Sequence, residues 1–106
     1  MRLLLDECMP RKLKRDLKGH NARTVPEMGW ASKKNGELLQ LAAGQFDVFP
    51  TVDRTLAYQQ NLEGISVAII SLDARSNRLV DLRPLMPKVR NLLPKVPPRQ
   101  IIRVSV

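Results

Sequence analysis

Short apolar runs that alternate with helix-spaced segments constrain this chain more than any other feature of its sequence. The first, Leu3-Leu4-Leu5, precedes a turn at Cys8-Met9-Pro10 and reads as a buried strand ending at Asp6. Pro10 suits a first helical turn, and Leu13 and Leu17 put an apolar stripe beneath basic residues until Gly19 stops the helix. Ala22 to Val25 reads as a short second strand. Asn35 is the expected N-cap of a helix over Gly36 to Ala43, closed by Gly44, with Leu38, Leu39, Leu41 and Ala42 toward the core. Phe46 to Val52 is a third strand, Thr55 to Leu62 a short helix, and the β-branched run Ser66 to Ile70 a fourth strand of the kind buried in a parallel sheet. Leu79 to Leu93 has helical spacing but contains Pro84 and Pro87, so the helix is expected to start near Pro84 after a weaker turn. Ile101, Ile102, Val104 and Val106 form a closing strand. Strands alternating with helices imply an α/β fold on a mostly parallel sheet. Pro50 is the awkward member: with no N–H for a ladder, it requires a third strand that is bulged, interrupted or at an edge.

A chain of 106 residues has room for one core and one domain. A single cysteine, Cys8, excludes an internal disulfide and a four-cysteine zinc site. No apolar run approaches the ~20 residues of a membrane span, and acids interrupt the first ten residues where a signal peptide would be apolar, so the expected location is the cytoplasm, away from membranes. The formal net charge of +8 favours polyanions, nucleic acid first among them. The excess lies in two segments, Arg11 to Lys18 and Arg75 to Arg103, with the middle comparatively acidic. Basic runs serve as solvated faces or as contacts for an acidic protein as often as they bind nucleic acid, so charge alone does not choose a function.

The acids are better placed to choose. Three strand-like runs each finish on an aspartate: Asp6, Asp53 and, two residues beyond its run, Asp73. In a parallel sheet the carboxyl ends of the strands share one edge, where open α/β folds bind ligands. Glu37, in the first turn of its helix, can join Asp6 and Asp53 there. Clustered carboxylates repel unless a cation sits among them, and Mg²⁺ or Mn²⁺ is the usual solution. Each acid also has an ordinary local reason, as a turn former or as a partner of a helix dipole. Thr51 and Arg54 flank the Asp53 position as candidate substrate contacts, Arg54 to a phosphate. Tyr58 and Gln59, in a polar patch with Gln60 and Asn61, can hydrogen-bond a substrate or merely cap their helix. His20 reads as an exposed loop residue, Cys8 as a buried inert thiol, and aromatic residues at 4% argue against a base-stacking surface.

At these residues the sequence resembles the PIN-like nuclease domains, specifically the compact proteins often encoded in bacterial toxin–antitoxin pairs. The resemblance runs from Met1 to Ser71, through Leu3-Leu4-Leu5-Asp6-Glu7-Cys8-Met9-Pro10, Gly19-His20, Thr24-Val25-Pro26-Glu27-Met28-Gly29-Trp30, Lys34-Asn35-Gly36-Glu37-Leu38-Leu39, Thr51-Val52-Asp53-Arg54 and Tyr58-Gln59-Gln60-Asn61-Leu62. It implies a three-layer α/β/α fold and a metal-dependent endoribonuclease, the toxin of such a pair, acting on RNA and blocked by an antitoxin protein. By position it makes Asp6, Glu37 and Asp53 the catalytic and metal-holding acids and Asp73 a fourth ligand, with a homodimer as the common assembly. This chain departs from the family at Thr55, where many relatives have a second acid, and at Pro50, where they have an apolar residue. Both fall beside the expected metal, so the resemblance also leaves room for a catalytically impaired module that binds nucleic acid or an acidic partner.

Overall fold

The computed structural model describes residues 1–52 and 66–105. Among them lie five strands, β1 (Arg2–Leu5), β2 (Asn21–Thr24), β3 (Val48–Thr51), β4 (Ala68–Asp73) and β5 (Ile101–Ser105), and three α-helices, α1 (Asn35–Ala42), α2 (Leu79–Leu82) and α3 (Met86–Leu92). All strand pairs are parallel, in the order β2-β1-β3-β4-β5. The chain is therefore an α/β protein on a parallel sheet, as the alternation of elements requires. The expected helix over Thr55 to Leu62 lies outside the described residues.

Apolar side chains cover both faces of the sheet, and the pleat separates them. Leu3, Leu5, Val48, Ala68, Ile70, Leu72 and Val104 pack with Leu13, Leu17, Leu82, Leu85, Met86, Val89 and Leu93. Leu4, Phe49 and Ile69, one residue out of phase, pack with Leu38, Leu39 and Ala42 of α1, and the Trp30 ring meets Phe46 edge-on at 6.1 Å. The β1–β2 and β4–β5 connections thus pass over the same face while moving to opposite sides of the sheet. Their crossovers have opposite hands, so one departs from the usual right-handed rule.

Several local expectations shift. The segment Arg11–Leu17 is wound as a 3₁₀-helix, with Leu13 and Leu17 buried as the spacing demands. It is short, and Pro10 at its N-cap supplies no side-chain cap, so little opposes the tighter winding. Gly19 leaves it at φ +88°, a left-handed conformation that suits glycine. The N-cap of α1 is Lys34, one residue before the expected Asn35. A single turn, Leu79–Leu82, precedes Pro84, and the winding continues through Arg83–Leu85, α3 and Leu93–Lys95, with Pro84 and Pro87 in first-turn positions of successive segments, where their missing N–H costs nothing.

Pro50 is not on an edge. It lies in β3, the central strand, paired with Ile70 of β4. Its backbone faces β1, where its carbonyl accepts the Asp6 N–H at 3.2 Å and its ring nitrogen has no proton to give. The β1–β3 ladder accordingly shrinks to the pair Leu3↔Val48, so the interruption falls on this seam alone.

Candidate functional site

The strand order reverses between β1 and β3, and at such a reversal open α/β sheets place their ligands, in a crevice outside the carboxyl ends of the strands. Asp6 stands at this point. It is 7% exposed, and its carboxylate is held from several sides. The Glu7 N–H donates to Oδ1 at 2.7 Å, the Thr51 hydroxyl to Oδ2 at 2.5 Å, and the Cys8 thiol to Oδ2 at 3.6 Å. Burial and the neighbouring Asp6 charge push the Cys8 thiol up to about 11, so it stays protonated and acts as a donor, which fits an inert cysteine.

Thr51, expected among the substrate contacts, is fully buried and gives its hydroxyl to Asp6. Its role here is to orient a carboxylate across the β1–β3 seam. Glu37 sits in the first turn of α1 as expected, but is exposed and paired with Lys33 at 3.0 Å. Asp73 closes β4 opposite Ser105, two strands over from Asp6, roughly 10 Å sideways at ordinary strand spacing. Asp53, Arg54, Tyr58 and Gln59 lie outside the described residues. Among the described residues, no group of three His, Cys, Asp or Glu side chains could hold a metal ion. Among the described residues, Asp6 is thus the expected ligand that is buried, and Glu37 and Asp73 are not gathered with it into a metal-holding set of three.

Asn77 and Ser32, which carried no functional expectation, hold the turns around Asp6 together. The Asn77 side chain donates to the Cys8 carbonyl at 3.0 Å, tying the turn after β4 to the turn after β1 and bringing Arg75 and Arg78 on either side of it to this end of the sheet. On the other flank, the exposed Glu7 carboxylate accepts the Ser32 N–H at 2.9 Å. Ser32 has φ +70°, uncommon for a residue with a side chain, and the bond to Glu7 helps hold this loop ahead of α1. Nothing in the local sequence marks these pairs, because their partners are 69 and 25 residues apart.

The two basic segments meet. Arg83 pairs with Asp16 at 3.2 Å and Arg90 donates to the Asp16 carbonyl at 2.8 Å, joining the Arg11–Leu17 helix to α3 on one face. Arg11 and Lys12 open the first of these helices immediately after the Asp6 turn, and both are exposed. Positive charge therefore extends from the crevice rim over this helical face. Comparison of the chain with family models, curated proteins and solved structures finds no match.

Proposed function

We propose that this protein is a PIN-like, divalent-metal-dependent endoribonuclease, acting as the toxin of a toxin–antitoxin pair, with Asp6 as its anchored acid. The observation that carries this reading is the Asp6 carboxylate, buried at the switch point of a parallel sheet and oriented by Thr51 and the Glu7 N–H. A hydrogen-bonded aspartate offers the hard oxygen donors that Mg²⁺ or Mn²⁺ prefers. Asp6 and Asp53 would hold the ion, with Glu37 joining if its carboxylate leaves Lys33. The bound ion would neutralise phosphate charge and lower the pKa of a water. The chain's own part is to fix the Asp6 oxygens and to bring the RNA backbone over the rim with Arg75, Arg78, Arg11 and Lys12, strengthened by Arg54.

The test is incubation of the purified full chain with a mixed single-stranded RNA pool, with and without Mn²⁺, beside Asp6→Asn and Asp53→Asn. Metal-dependent cleavage lost in both folded variants is the expected result. Equal traces in all three samples would overturn it.

A second reading, a non-catalytic PIN-like module that binds nucleic acid or an acidic protein, is favoured by the engagement of Glu37 with Lys33. It predicts RNA retention without cleavage, unaffected by either acid substitution.

A further inference from the structure

The two edges of the sheet are finished differently. At β2, Val25 donates to the Leu5 carbonyl, which turns Thr24 outward. The outward Thr24 N–H is taken at 3.1 Å by Glu27, whose carboxylate also holds Lys14 at 2.7 Å, while the Thr24 hydroxyl accepts the Glu27 N–H. At that edge the chain itself takes up the Thr24 N–H. At β5, Ile69 donates to the Gln100 carbonyl at 2.8 Å, which sets the phase of the ladder. Ile102 and Val104 turn their backbone toward β4, and Ile101, Arg103 and Ser105 turn theirs outward. Lys88 takes the Ser105 carbonyl at 2.6 Å. Among the described residues, the outward N–H and C=O of Ile101 and Arg103 meet no other strand.

A groove runs along this open edge, lined by Lys88, Leu92, Lys95, Ile102 and Arg103 with no acid among its residues. Ile102 and Leu92 are half-buried, whereas Lys88, Lys95 and Arg103 are exposed. Natural proteins block such an edge, because an unpaired row of donors and acceptors recruits another strand. We propose that the β5 edge and its basic groove capture an extended acidic polypeptide segment as an added strand. This does not rest on the ribonuclease reading, since β5 is three strands away from β1.

The occupant follows from complementarity. A second copy of this chain would set Lys88, Lys95 and Arg103 against their own equivalents, and each copy carries +8. An RNA backbone offers phosphate acceptors and 2′-hydroxyls but no alternating row of N–H and C=O groups to pair with those of Ile101 and Arg103, and no aromatic ring lines the groove to stack a base. A polypeptide supplies donors and acceptors at strand spacing. On the face that Arg103 shares, alternate acidic side chains can meet its guanidinium, while the apolar ones between them lie on Ile102 and Leu92 on the α3 face, with Lys88 and Lys95 adding positive charge beside the strand.

The test uses fluorescence anisotropy of the full chain with a labelled peptide of alternating Glu and Val. Controls are the same peptide N-methylated at every second residue, its Lys-Val counterpart and a short uridine RNA. Arg103→Pro removes an outward N–H but no bond to β4, so it spares the sheet. Lys95→Glu reverses one charge of the groove and leaves the strand backbone untouched. The expected result is binding of the Glu-Val peptide, weakened about tenfold or more by peptide N-methylation, by Arg103→Pro and by Lys95→Glu, with circular dichroism unchanged. Equal binding of the N-methylated peptide would reduce the site to bare charge and overturn the added strand. So would no binding of the Glu-Val peptide, or RNA binding that Lys95→Glu abolishes while the peptide stays free.

Discussion

Asp6 shows how a few bonds separate a placed carboxylate from an ordinary one. An acid at 7% exposure is costly to keep charged unless donors replace its water, and here the Thr51 hydroxyl and the Glu7 N–H do so. Thr51→Val keeps the shape and removes one donor to this carboxylate. We expect a loss of about 2 kcal/mol in urea denaturation, with Thr51→Ser retaining most of the stability. Cys8 gives a second reading of the same charge. Its folded pKa, about 11, lies above the ordinary thiol value of 9.0, so the stability it contributes is intact below pH 9 and is lost as pH rises from 9 through 11. Because thiolate is the reactive form, Cys8 should alkylate slowly at pH 8, and Asp6→Asn should speed it by removing the charge that opposes ionisation. Iodoacetamide labelling followed by mass spectrometry measures both rates.

Pro50 sets the character of the seam on which Asp6 depends. Its sequence neighbours read as a strand, and a proline in a strand argues for an edge, yet β3 is central. The conflict resolves because only its β1 side lacks a donor, and the β4 ladder runs through Pro50↔Ile70 undisturbed. Substituting Pro50→Val restores an N–H facing the β1 backbone. The gain of about 1 kcal/mol from that bond is offset by about 1 kcal/mol of added unfolded-chain entropy. The urea midpoint should therefore hardly move, while hydrogen exchange at the Asp6 amide slows as the β1–β3 ladder lengthens. The helices were legible from leucine spacing at Leu13, Leu17, Leu38 and Leu39, all buried. Their winding was not, because the choice of 3₁₀ over α in a short uncapped segment depends on what the turn packs against.

The merging of Arg11–Leu17 with α3 turns two distant basic stretches into one surface. If that surface guides RNA, the double variant Lys12→Glu/Arg15→Glu should weaken binding of a short single-stranded RNA. It should also flatten the plot of log K against log salt by about 0.7 for each phosphate contact removed. Titrations at several salt concentrations read the slope directly, and an unchanged slope would place the RNA elsewhere. The same arrangement explains why topology escaped the sequence reading. Opposite-handed crossovers over one face cannot be seen in hydrophobic periodicity, which records that a helix has an apolar side but not which face of the sheet receives it.

By itself the sequence determined the parallel α/β class and the buried apolar runs of β1, β3 and β4, because such runs and their spacing are local signals. It also marked Asp6 as an acid at a strand end. Only the tertiary structure decided that Thr51 serves Asp6, that Glu37 rests on Lys33, that Pro50 lies in the central strand and that, among the described residues, β5 is the outermost strand beside a basic groove. Most of these outcomes depend on which strands become neighbours, and strand order is set by the summed burial of two faces across the whole chain. Even the Lys33–Glu37 pair, four residues apart and readable as a spacing, needed the fold to show that it faces solvent.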